Sequence, residues 1–127
     1  MKIILKNTTK YIYLNKNCYL LNYELNGSTM ILDYCIGYYF KIQNIGTDKN
    51  EQRKGQASKL IDKAKSIAKT KGFAEIQLYL PTDKYIHSKF FTKQDYDKAV
   101  LFYKKNGFKF YPKSSVKMYY KLTNKNK

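Results

Sequence analysis

The segment Gln52-Arg53-Lys54-Gly55-Gln56-Ala57 sets a glycine and an alanine two residues apart, just after two basic side chains, and runs into a helical repeat at Ser58-Lys59-Leu60-Ile61. Such a segment can cradle a phosphate. The first turn of a helix leaves several N–H groups without intrahelical partners and carries the positive end of the helix dipole, so an anion is held there by backbone alone. Arg53 is the sole arginine of the chain, and a guanidinium grips phosphate with two prongs where lysine offers a point charge. A solvated helix start after a polar loop uses the same residues, so the six positions alone leave both readings open. Other residues with chemistry to offer are few. His87, the only imidazole, lies in a segment without periodicity and reads either as a base for an amine or as an exposed loop histidine. Asp33, Asp48 and Glu51 are further candidate bases, and Lys54 and Lys59 either reach a phosphate or are simply solvated. Cys18 and Cys35 have neither metal-ligand spacing nor a neighbouring histidine, which predicts no metal site and two reduced thiols in a cytoplasmic protein.

The elements that must position these residues follow from periodicity. Tyr11 to Leu14, Cys18 to Leu25, Thr29 to Ile36 and Tyr38 to Ile45 are rich in Tyr, Ile and Leu and read as strands, with Asn26-Gly27 as a tight hairpin turn and Gly37 as a break. Ala57, Leu60, Ile61, Ala64, Ile67 and Ala68 recur at steps of three and four, which predicts a helix stopped by Gly72. Ala74, Ile76, Leu78 and Leu80 then alternate with polar residues up to Pro81, giving strand, helix, strand. That order implies a right-handed parallel crossover with the cradle at the carboxyl end of its first strand. Thr92 and Asp95 form a capping-box pattern for a second helix reaching about Lys105, with Tyr96, Ala99, Val100 and Tyr103 on one stripe and Asn106-Gly107 closing it. Phe108 to Tyr111 and Val116 to Leu122 predict a terminal hairpin.

Composition bounds the rest. The 127 residues, 43% apolar, suit one α/β domain over residues 1–122 with a flexible tail at 123–127. No apolar run approaches the ~20 residues of a membrane span, so no membrane is expected as a partner. The net charge of +16 favours acidic partners, although the accompanying wealth of Asn, Ile and Tyr is also what an A+T-rich genome imposes. The interleaved Lys and Tyr of residues 109–121 suit RNA, and equally a strand with one wet face.

Two segments together resemble the GCN5-related N-acetyltransferase (GNAT) family: Ile42-Gln43-Asn44-Ile45-Gly46-Thr47 followed by Gln52-x-x-Gly55-x-Ala57, and Ala99-Val100-Leu101-Phe102-Tyr103-Lys104-Lys105-Asn106-Gly107-Phe108. The resemblance covers roughly residues 38–122. It implies a mixed, mostly antiparallel sheet whose central parallel strands splay to admit acetyl-CoA as co-substrate. Ile45, Thr47, Gln52, Arg53, Lys54, Gly55, Gln56, Ala57 and Ser58 are then the cofactor-binding positions, with the pyrophosphate on the N–H groups of Arg53 to Ala57. Tyr103 stands where the family often keeps the acid that protonates the leaving thiolate. The implied activity is acetyl transfer to a primary amine by direct attack in a ternary complex, on an acidic protein or an RNA-borne acceptor, by a monomer or homodimer. The alternative is a non-catalytic acyl-CoA-binding module or a basic RNA-binding protein. The chain departs from the family in three places. The residues before 38 are too few for the two usual acceptor-framing helices, Tyr96 replaces a common Asn, and the strand from Tyr38 to Thr47 carries no Glu.

Overall fold

A computed structural model describes residues 2–47, 55–81 and 92–122, and all that follows concerns those residues. Four long strands come first: β1 (Ile4–Tyr13), β2 (Lys16–Leu25), β3 (Ser28–Cys35) and β4 (Tyr39–Thr47). Then follow α1 (Gln56–Thr70), β5 (Glu75–Tyr79), α2 (Lys93–Lys105), β6 (Lys109–Phe110) and β7 (Lys117–Lys121). The seven strands form one sheet in the order β1-β2-β3-β4-β5-β7-β6, antiparallel everywhere except between β4 and β5. The expected mixed sheet with a single parallel crossover is therefore present.

The α1 helix forms because its apolar residues share one face. Leu60, Ile61, Ala64 and Ala68 are all fully buried against Leu21, Leu32, Phe40, Ile42, Ile76 and Leu78 of the sheet. α2 buries no residue completely, but Tyr96, Ala99, Val100, Phe102 and Tyr103 pack onto the same core, as its stripe predicts. The Asn26-Gly27 turn has φ of 46° and 90°, positive at both central positions as a tight hairpin with right-handed strand twist requires.

Three expectations need correction. β1 begins at Ile4, not Tyr11: Lys6-Asn7-Thr8-Thr9-Lys10 has no apolar alternation, yet apart from a bulge at Lys6 the strand pairs with β2 from Ile4 onward. β6 shrinks to Lys109–Phe110. The reduced-thiol expectation fails: Cys18 and Cys35 are joined in a disulfide, both fully buried, 17 residues apart in sequence. The two face each other directly across β2 and β3, and the Ile36 N–H to Asn17 carbonyl bond beside them (2.9 Å) makes theirs a non-hydrogen-bonded pair. Such pairs bring their Cα atoms closest, here 4.0 Å, so the side chains meet. The argument from free thiols to a cytoplasmic location falls with it. No helix among the described residues is long and apolar enough to cross a membrane.

Candidate active site

β4 and β5 are joined by two rungs only, Lys41 with Gln77 and Ile42 with Leu78. Beyond them the strands follow different neighbours. β4 stays with β3 to its last pair, Thr47 opposite Ser28, while the chain after β5 turns with β7 through the Leu80 N–H to Val116 carbonyl bond (2.6 Å). A bulge marks the parting point, because Ile31 pairs with Asn44 and Leu32 with Ile42, leaving Gln43 as the extra residue on β4. Among the described residues, the β4 backbone groups that face β5 have no rung past Ile42, so a wedge opens toward the carboxyl ends of the two strands.

The start of α1 belongs to that same end of the sheet. Gly55 is its N-cap, in a left-handed conformation (φ 79°) that a side chain rarely adopts. Among the described residues no side chain caps this helix, and its first turn holds no acidic residue. The first backbone bond closes from the Lys59 N–H to the Gly55 carbonyl (3.1 Å), so the amides of residues 57 and 58 are among those a helix start leaves for an outside acceptor. Among the described residues, a Cβ built on Gly55 meets nothing within 4 Å, so they leave the space over the turn open. Among the described residues, uncapped amides, a dipole end without a competing carboxylate, and open space fit a phosphate group.

The remaining candidates are placed as follows. Ile45 is half-buried against the core and Thr47 ends β4. Gln56 is buried, while Ala57 and Ser58 are half-buried along the first turn. Gln52, Arg53, Lys54, Asp48, Glu51, His87 and the tail at 123–127 lie outside the described residues. Asp33 is buried on the sheet face opposite α1, where it accepts from the Tyr11 hydroxyl (2.6 Å) and lies 3.8 Å from the Lys41 ammonium. Burial, reinforced by the bond to Asp33, holds the Tyr11 phenol well above the ordinary tyrosine range.

Tyr103 packs edge-on to Phe108 (ring centroids 5.7 Å apart), which in turn lies against Tyr120 (5.6 Å). Burial pushes its phenol up to about 12, so it stays protonated throughout the neutral range. The structure ties its helix to the start of α1 through a residue that the sequence reading took only as a stop signal. Asn106, three positions past Tyr103, donates to the Ser58 hydroxyl (3.4 Å) and accepts from the Lys65 ammonium at its carbonyl (2.7 Å). Ser58 and Lys65 are seven apart and so share a face of α1. The two segments that carry the family resemblance are thereby joined in space. The usable signal was the pair of polar residues on α1 two turns apart, opposite an Asn at a helix end.

Comparison with known proteins agrees with this geometry. The model of the acetyltransferase (GNAT) domain matches residues 15–110. No curated protein sequence matches the chain. Among solved structures, the fold is similar to that of Ard1 from Thermoplasma volcanium (20% identity, 83% of this chain and 71% of that one, TM-score 0.59). It is also similar to the PaiA N-acetyltransferase from Thermoplasma acidophilum in complex with coenzyme A (20% identity, 82% of this chain, TM-score 0.61), whose length this chain spans to 60%. A third relative in fold is a GNAT family acetyltransferase from Elizabethkingia anophelis with acetyl-CoA bound (16% identity, 84% and 76%, TM-score 0.57). With a family model matching over most of its length, and the parted strands and uncapped helix start in place, the chain belongs to the GCN5-related N-acetyltransferase family.

Proposed function

We propose that the protein, as one domain over residues 1–122, transfers an acetyl group from acetyl-CoA to a primary amine by direct attack in a ternary complex. The observation that carries the reading is the uncapped start of α1 at the open end of the parted β4 and β5. The Gly55 turn and the amides of Ala57 and Ser58 receive the pyrophosphate, with Gln52, Arg53 and Lys54 completing the cradle. The β4 edge at Ile45 and Thr47 offers its backbone groups to the amides of the pantetheine arm. Acetyl-CoA, when bound, supplies an acyl thioester with a thiolate leaving group. Tyr103 gives its proton to that sulfur as the C–S bond breaks and the new N–C bond forms. A phenolate whose acid form titrates at about 12 is then strongly basic and recovers a proton from the amine or from water. The charge of +16 favours an acidic protein or an RNA-borne amine as acceptor, since a small cationic amine would be repelled.

The test is incubation with labelled acetyl-CoA and cell lysate, followed by mass spectrometry of lysines, amino termini and tRNA. Labelled product is expected, and Tyr103→Phe should lower its rate about 100- to 10,000-fold, roughly 3 to 5 kcal/mol in the barrier, with cofactor binding kept. Equal rates would retire Tyr103 as the acid. Absence of labelling would favour the rival, a module that binds acyl-CoA or RNA without transfer.

A further inference from the structure

Charge is distributed unevenly along the chain. No Asp or Glu follows Asp97, while residues 98–127 hold nine lysines, so these last thirty residues carry +9 of the +16. A codon bias enriches lysine everywhere and has no reason to keep carboxylates out of one part. The carboxylates at hand are already engaged. At the start of α2, Asp95 accepts from the Thr92 N–H (2.9 Å) and Asp97 lies 2.8 Å from the Lys93 ammonium. Glu75, opposite Lys121 in the sheet, accepts from the Tyr111 hydroxyl and from the Gln77 amide (2.8 Å). Among the described residues, no lysine from Lys98 to Lys121 has an ion pair. A cationic surface left uncompensated in this way favours an anionic partner.

Rings, not carboxylates, accompany these lysines. The Lys117 ammonium lies 4.6 Å from the centre of the Tyr111 ring and 5.4 Å from that of Tyr79, and the Lys104 ammonium 5.7 Å from that of Phe110. Tyr111 and Tyr119 have ring centroids 4.7 Å apart. Leu78 and Met118 point into the core, so strand alternation puts Tyr79, Lys117, Tyr119 and Lys121 together on the sheet face away from the helices.

Two open grooves meet at β6, the edge strand of the sheet. One, of 440 Å³, has Lys104, Lys109 and Phe110 in its walls, and the other, of 200 Å³, has Lys109, Tyr119 and Lys121. Each thus sets an aromatic ring beside two lysines that have no ion pair among the described residues. A ring beside a cation, repeated at adjoining positions, suits a base stacked on the ring with its phosphate on the ammonium. An acidic protein segment would use the lysines and leave the ring-walled grooves without a role. A strand face that merely meets water needs neither.

We propose that the β6–β7 edge is a binding site for single-stranded nucleic acid, with bases against Phe110 and Tyr119 and phosphates on Lys104, Lys109 and Lys121. A duplex keeps its bases stacked on one another and can engage only the lysines.

Fluorescence anisotropy of labelled RNA and DNA strands of about 12 nucleotides, titrated at several salt concentrations, measures it. The titration contains no acetyl-CoA, so the proposal stands or falls apart from the transfer reading. Lys109→Ala should weaken binding and make the slope of log affinity against log salt shallower by about 0.7, the share of one phosphate on a single strand. Tyr119→Leu should weaken binding about 10-fold and leave that slope unchanged. Lys6→Ala, on β1 at the opposite edge of the sheet, should alter neither. Lys6 and Lys109 are exposed, so their variants keep the fold and carry the comparison even if Tyr119→Leu does not. Binding of either strand with this pattern supports the proposal, and a preference between RNA and DNA identifies the strand it takes. No binding at about 100 µM protein and about 50 mM salt overturns it. Equal losses from Lys6→Ala and Lys109→Ala, with Tyr119→Leu neutral, would reduce the attraction to diffuse charge and overturn it too. Polyglutamate that displaces the strand as well as unlabelled RNA does would overturn it in favour of an acidic protein.

Discussion

The two helices are fastened in opposite ways. α2 starts with a complete capping box, the Asp95 N–H bonding to the Thr92 hydroxyl (3.1 Å) and the Thr92 N–H bonding to the Asp95 carboxylate (2.9 Å). It ends at Gly107, where a Cβ would come within 2.9 Å of the Tyr120 ring. Among the described residues, α1 starts on a bare glycine with no side-chain cap and ends at Gly72, where a Cβ would meet nothing within 4 Å. Both helices close on glycines with positive φ, 84° at Gly72 and 94° at Gly107, so the contrast lies in their surroundings and not in their backbone. A helix whose orphan amides are satisfied internally is scaffold, and one whose amides are left open has them available to a ligand. On this account α2 is fixed at both of its own ends, and α1 is held by its buried face and by the bonds of Ser58 and Lys65 to Asn106.

Substitutions at the two ends sharpen the contrast. The largest change in stability is expected at Gly107→Ala, which adds a ring clash to an unfavourable φ and should cost about 2 to 3 kcal/mol in a denaturant titration. Gly72→Ala meets the φ penalty without the clash and should cost about 1 kcal/mol. Equal losses at the two glycines would mean that the approach of Tyr120 does not constrain the end of α2. The smallest effect belongs to Thr92→Ala, about 1 kcal/mol or somewhat less at so exposed a cap, with acetyl-CoA affinity unchanged.

What could be read from the sequence was the local part. The repeat of Leu60, Ile61, Ala64 and Ala68, the Thr92–Asp95 box and the Asn26-Gly27 turn each depend on residues a few positions apart, and each stands as expected. What could not be read was set by register. The disulfide depends on Cys18 meeting Cys35 across two strands, and the wedge on β4 losing β5 after Ile42, facts that no short window contains. The polar first half of β1 escaped because an edge strand with little to bury needs no apolar alternation. At the candidate site the order of the two motifs was visible, but the Asn106 link between them was not, since it joins residues 48 positions apart.

The central claim is that the open start of α1 holds the phosphates of acetyl-CoA. Gly55→Glu places a negative charge and a side chain at that turn, and Gly55→Ala places only a methyl group there, so the pair separates loss of the site from backbone strain. Calorimetric titration with acetyl-CoA should show binding by the wild type, weakened binding by the alanine variant and none by the glutamate variant, each folded by circular dichroism. Unchanged affinity in a folded Gly55→Glu variant would contradict the account.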